Sequence, residues 1–331
     1  MASYPHPAVA PPASPRPTPP APGIRAITPL RGVSRGRLKP PAPSWRELRP
    51  YHLFRAASAV ANALPRSLAV PLIESLAKAV APLAPRRQAE MIARHQRRAH
   101  AEPLDERALA RAVRSAYVSY ARYWMESLRL ASLAPSEIDS RFSIEGLGHI
   151  EAAREAGRGA ILAIPHLGGW DVGGAWFVSQ GFPLTVVAEQ VEPPELFEWF
   201  ADLRRSFGLT VIPLGPKAGF AIVRALRANQ VVALLADRDI GGGGIEVDFF
   251  GERTTLPAGP ATLAQRLKVP LLPTAIYFEG TGHHAVVRPP LSLDGDIGAV
   301  TQRMAAELEA LIRRVPEQWH LFQPNWPSDR S

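Results

Sequence analysis

The sequence contains no cysteine. That excludes a disulfide framework, a zinc–thiolate site and a thiol nucleophile, and it fits a reducing compartment without requiring one. No apolar run approaches the roughly 20 residues that a transmembrane helix needs. No continuous apolar stretch follows the first charges as it would in a secretory leader, so membrane contact is expected to be peripheral. The serine elbow G-x-S-x-G is missing. The glycine run at 241–244 has no Lys or Ser/Thr in phosphate-loop register and reads as a mobile loop or hinge. H-E-x-x-H is missing too, and the adjacent His283 and His284 point to opposite sides of a strand, so no metal site is expected.

Acids are scarce only at one end. Residues 1–55 hold nine basic side chains and a single acid, Glu47, which accounts for the whole formal charge of +8. The remaining 29 basic and 29 acidic side chains cancel. The high pI therefore belongs to the N-terminal arm, not to a folded nucleic-acid-binding surface. Such an arm suits an anionic membrane face or nucleic acid, or is simply a solvated tail. Residues 1–45 also hold 13 of the 35 prolines, a composition that favours extended polyproline conformations and buries no core. A disordered arm is expected there, followed by one domain over 46–331.

Residues 46–132 read as helices. In 66–84 the apolar residues Leu68, Leu72, Ile73, Leu76, Val80 and Leu83 recur at helical spacing; this face packs on a core or lies on a membrane. In 106–130 Leu109, Val113, Tyr117, Tyr120, Trp124 and Leu128 do the same and read as core. From 135 onward short β-like runs alternate with helical stretches: "FSIEG", "GAILAIP", "LTVVAE", "LTVIPL", "QVVALLAD", "IEVDFF", "VPLLPTAIYF" and "HHAVVRP". This order predicts an α/β fold, a mostly parallel or mixed central sheet with helices on both faces, behind an N-terminal helical segment.

In such sheets ligands sit beyond the carboxyl ends of the strands. "IPHLGGWD", residues 164–171, places His166 there, with two glycines that permit a tight turn. If a helix starts near Gly168, Asp171 folds back beneath the imidazole, fixes its tautomer and stabilises the imidazolium. With no serine or cysteine nucleophile beside it, His166 is expected to deprotonate a hydroxyl of the substrate.

"HLGGWD" resembles the His-x4-Asp motif of glycerolipid and lipid A acyltransferases. With "VVAEQVEPPELFEWFADLRRSFGLTVIPL", "LLADRDIGGGGIEVDFFGERTTLPAGPATLAQRL" and "PEQWHLFQPNWP", residues 48–327 resemble the actinobacterial phosphatidylinositol mannoside acyltransferases. The resemblance implies a glycerolipid acyltransferase-like fold. It also implies transfer of an acyl chain, palmitoyl, from acyl-coenzyme A to a mannose hydroxyl of a phosphatidylinositol mannoside. Acyl-coenzyme A is the donor substrate and no cofactor is implied. The family's base and its partner carry over to His166 and Asp171, and two family glutamates to Glu189 and Glu246. A helix arginine carries over to Arg204, where a forked clamp on a phosphate is expected.

Glu189, at a strand end, suits sugar hydroxyls or is a solvated loop acid. Arg238, in "ADRD" past a buried strand, is expected to bind substrate or supply the oxyanion donor, with an internal Arg–Asp pair as the structural alternative. His320 reads as structural, with Trp319 and Trp326. A lipid A-type or other glycolipid acceptor, and a non-catalytic lipid-binding protein, remain open. The expected place is the cytoplasmic face of the plasma membrane, held peripherally on its anionic surface, with no nucleic-acid partner. Deleting residues 1–45 is expected to weaken sedimentation with anionic vesicles while leaving turnover of soluble donor intact. Unchanged sedimentation assigns the contact to the 66–84 helix.

Overall fold

The computed structural model describes residues 45–330. The arm expected over 1–45 lies, apart from Trp45, outside the described residues. The N-terminal helices are α1 (Trp45–Ala63), α2 (Arg66–Val80), α3 (Arg86–Ala99), α4 (Glu106–Arg129) and the short α5 (Pro135–Asp139). α4, the longest of them, starts where the Asp105 carboxylate accepts the Ala108 N–H at 2.7 Å, an N-cap that satisfies one of the first turn's free donors.

The body then runs β1 (Phe142–Glu145), α6 (Leu147–Glu155), β2 (Ala160–Ile164), α7 (Trp170–Ser179), β3 (Leu184–Ala188), α8 (Pro194–Ser206), β4 (Thr210–Pro213), α9 (Ala218–Arg227) and β5 (Val231–Leu235). It continues with β6 (Ile245–Phe249), β7 (Glu252–Leu256), α10 (Gly259–Leu267), β8 (Leu271–Glu279), β9 (Gly282–Val287) and α11 (Ile297–Arg313). Seven strands form one sheet in the order β1-β9-β8-β2-β5-β3-β4. β8, β2, β5, β3 and β4 are mutually parallel, and β8–β9 is the antiparallel pair. The α/β fold with a mostly parallel sheet is thus present.

Side chains along the central strands alternate between two cores. Ile161, Ala163, Val232 and Leu234 face the core built with α9, α10 and α11. Ala160, Leu162, Ile164, Val231 and Ala233 face the one built with α6 and α7. The period of two, covered on both faces, explains why these strands are apolar throughout.

In α2 the small residues Ala69 and Ala77 are buried, while Leu68, Leu72, Leu76, Val80 and the following Leu83 are exposed. Alanines let α2 approach α4 closely, and the leucine row is left outward. "IEVDFF" is a strand, but it does not join the central sheet: β6 pairs antiparallel with β7 as a separate hairpin. Its two-residue turn, Phe250–Gly251, has φ of 53° and 76°, the geometry that matches strand twist in tight hairpins. Among the described residues no single helix is long and apolar enough to cross a membrane.

The C-terminal segment, residues 316–330, returns to the sheet. Its last turn is fixed by buried Asp329, which accepts the N–H groups of Asn325 and Trp326 at 3.0 and 3.2 Å. The same carboxylate meets His95 Nε2 at 3.0 Å and Arg98 Nη1 at 2.9 Å. Burial alone would raise this carboxyl, but the bonds from His95, Asn325 and Arg98 outweigh it and hold it far below the ordinary range. A lowered folded-state pKa means the stabilisation is complete above the unfolded value of about 4 and is lost as pH falls below it. Asp329→Asn is therefore expected to cost about 3 kcal/mol at pH 7. Its deficit against the parent should shrink towards pH 2 in urea titrations.

Candidate active site

The parallel register of β2 and β5 pairs Ile164 with Leu235. Carried two residues past both strands, the same offset brings His166 level with Asp237. The His166 N–H donates to Asp237 Oδ2 at 3.0 Å, and His166 Nδ1 lies 2.7 Å from Oδ1. Trp319 Nε1–H donates to Oδ2 at 2.8 Å, and Asn325 Nδ2–H to the Asp237 carbonyl at 3.1 Å. Asp237 is fully buried. Burial pushes its carboxyl up, but the His166 charge and the bonds from the imidazole, Trp319 and the His166 backbone bring it below the ordinary range. A carboxylate on Nδ1 fixes the Nδ1–H tautomer of the neutral ring, so Nε2 is the basic atom.

The loop after His166 is fastened on two sides. Gly169 N–H donates to the Ile276 carbonyl at 3.1 Å, Gly168 N–H to that of Gln318 at 2.9 Å, and His320 N–H to that of His166 at 2.7 Å. Gly168 has φ of 61°, and a Cβ there would collide with the Ile276 carbonyl oxygen. Only glycine lets the chain turn this tightly against β8.

Asp171 does not support His166, which corrects the reading of the His-x4-Asp spacing. The fastened loop delays the helix until Trp170. The Trp170 ring stands edge-on to the imidazole, centroids 5.8 Å apart, and Asp171 is taken by other partners. Its carboxylate accepts Arg204 Nε and Nη2 at 2.8 and 3.1 Å and the Tyr123 hydroxyl at 2.9 Å. This buried fork joins α4, α7 and α8. Arg204 is therefore engaged by Asp171 and is not a free phosphate clamp. Burial would lower its pKa, but the Asp171 charge raises it above the ordinary value. Burial, then the same charge, raises that of Tyr123.

His166 opens onto a cavity of about 280 Å³. Its walls are mostly apolar, from Leu162 and Ile164 of β2 to Phe177 of α7, Leu184 of β3, Phe197 and Phe200 of α8, and Trp124 of α4. A base at one end of a largely apolar cavity can deprotonate a hydroxyl beside an alkyl chain.

The sequence family described as bacterial lipid A biosynthesis acyltransferase matches residues 39–328. The chain belongs to this family. It is 40% identical over 223 residues to the phosphatidylinositol mannoside acyltransferase of Mycolicibacterium smegmatis, covering 66% of this chain and 73% of that one. It is 43% identical over 219 residues to that of Mycobacterium tuberculosis, covering 64% and 69%. With the lipid A biosynthesis acyltransferase of Haemophilus influenzae it shares 30% identity over 200 residues, 57% and 60% of the two chains. The resemblance to the phosphatidylinositol mannoside acyltransferases is borne out.

In this acyltransferase the other expected residues separate. Glu189 is exposed at the cavity mouth and lines it. Arg238 is half-buried next to Asp237. Asp237 binds His166, and Asp239 accepts the N–H groups of Gly241, Gly242 and Gly244. No Arg238–Asp pair forms among the described residues. Glu246 does not lie beside His166: it stands on the outer face of the β6–β7 hairpin, exposed, 3.8 Å from Arg253. Strand β6 belongs to the hairpin rather than the sheet, which carries Glu246 away from the converging strand ends.

Sequence reasoning overlooked Asp237 as the partner of His166. A signal existed: Asp237 follows "VVALL" by the same two residues that separate His166 from "AILAI". Trp319 and His320, read as structural, back the site directly. His320 Nε2 meets Ser119 Oγ at 2.8 Å, and its buried Nδ1 has no partner among the described residues. Burial, then the nearby His166 charge, lowers its pKa to about 3. The unfolded chain takes up this proton near pH 6.5 and the native one does not, so stability falls as pH drops through that window. Between pH 7 and 5 the parent is expected to lose about 2 kcal/mol from this group. Urea titrations of His320→Gln should show a shallower decline.

Proposed function

We propose that this acyltransferase moves a palmitoyl group from acyl-coenzyme A to a mannose hydroxyl of a phosphatidylinositol mannoside. The observation that carries the reading is the imidazole on a buried carboxylate at the end of an apolar cavity. The names of the mycobacterial relatives support the acceptor. The acyl chain enters the cavity, leaving its thioester carbonyl beside His166. Nε2 takes the proton of the acceptor hydroxyl, and the oxygen attacks the carbonyl carbon. The tetrahedral intermediate collapses to the ester, and the departing coenzyme A sulfur takes the proton from Nε2.

Asp237 holds the imidazole in the working tautomer and stabilises its cationic form. Arg238, half-buried one residue further on, is assigned to the developing oxyanion. Glu189 is assigned to sugar hydroxyls at the mouth. Asp171, Arg204 and Tyr123 position the cavity wall. The outward leucine row of α2 supports a peripheral place on an anionic bilayer, on the cytoplasmic face of the plasma membrane.

The test is a mass-spectrometric acylation assay with palmitoyl-coenzyme A and phosphatidylinositol mannoside, beside a lipid A precursor and a lysophospholipid. Transfer to the mannoside is expected, reduced at least ~100-fold in His166→Ala. Asp237→Asn should lower kcat and alter its pH profile. Asp171→Asn should lower stability and leave the shape of that profile unchanged. The reverse pattern between the two aspartates would return the supporting role to Asp171.

A further inference from the structure

Two adjacent glycines, Gly173 and Gly174, occupy the middle of α7. Glycine inside a helix is destabilising relative to alanine, so a local reason is required. For Gly173 it is packing, since a Cβ there would lie 2.7 Å from Ile276 Cγ1. Gly174 differs. A Cβ there would point at Leu209 Cδ2, at 3.2 Å, and Leu184 Cδ2, at 3.5 Å. All three residues line the cavity.

Register places those leucines far from the chemistry. Leu184 pairs with Val231, which pairs with Ala160, the residue at the opposite end of β2 from His166. Leu209 immediately precedes Thr210, the partner of Thr185, and so lies at the same level. With only hydrogen at position 174, α7 lies close against the deep leucines at the end of the cavity remote from the base. A larger side chain would crowd both leucines and take up cavity volume there.

We propose that Gly174 sets the length of fatty acyl chain that the cavity admits. The inference rests on the cavity being the acyl-donor site. Each methylene buried improves affinity about fourfold, so binding should climb along a saturated series until the chain meets Leu184 and Leu209, then level off. A side chain at position 174 brings that plateau to shorter chains. Trimming Leu209 moves it to longer ones.

The experiment measures saturated fatty acids, from decanoate to octadecanoate, by displacement of a fluorescent fatty-acid probe. It compares the parent chain with Gly174→Ala, Gly174→Val and Leu209→Ala. In Gly174→Val the hexadecanoate-to-dodecanoate affinity ratio is expected to fall at least about tenfold, with a smaller fall in Gly174→Ala. In Leu209→Ala the plateau should move to longer chains, which keeps the test decisive if the valine variant does not fold. A uniform loss across the series, or an unchanged profile in folded variants, overturns the proposal. Probe that no fatty acid displaces from the parent chain overturns the donor-site reading and this proposal together. Length-dependent binding that ignores the variants overturns only this one.

Discussion

The site depends on one register. β2 and β5 are parallel and adjacent, and their pairing continues past the last ladder residues until His166 and Asp237 stand side by side. A carboxylate taken wholly out of water is costly unless it is paired and hydrogen-bonded. Asp237 meets that condition with a backbone N–H, an imidazole and an indole N–H on its two oxygens. A slip of one residue between the strands would break all three bonds and turn the side chains to the other face.

The C-terminal segment holds this arrangement from behind. Trp319 reaches the Asp237 carboxylate and Asn325 its carbonyl. The main chain at Gln318 and His320 bonds the loop around His166. Asp329 in turn fixes the turn at Asn325 and Trp326 and ties it to α3 through His95 and Arg98. The base is thus positioned by groups from the sheet centre, the chain end and an N-terminal helix. This explains why a segment rich in tryptophan and proline near the terminus is packed rather than loose. A second buried network, Tyr123–Asp171–Arg204, does for the cavity wall what Asp237 does for the imidazole. The two acids of the neighbourhood have separate tasks because each is saturated by its own partners.

Much of the architecture was legible in the chain. The alternation of short apolar runs and helical stretches after residue 135 specifies a covered, mostly parallel sheet. The position of His166 at the end of "GAILAIP" marks the working edge. The partner of His166 was misread, because sequence spacing measures distance along a helix that had not been placed. Gly168 and the bonds to Ile276 and Gln318 shift where α7 begins, and that shift separates Asp171 from the imidazole. Glu246 was misplaced for a similar reason. Its strand looks like any other in the sequence, yet the Phe250–Gly251 turn folds it onto β7 and away from the sheet.

By itself, then, the sequence determined the strand–helix alternation, the histidine at a strand end, the absence of thiol chemistry and the basic arm, since each is a local property of composition or period. Which acid holds the histidine, which face of α2 is outward, and how deep the cavity runs beside Gly174 were decided by tertiary structure alone. Those features arise where strand register, helix approach and the returning chain end bring residues far apart in sequence within hydrogen-bonding or van der Waals reach, and no local pattern encodes that distance.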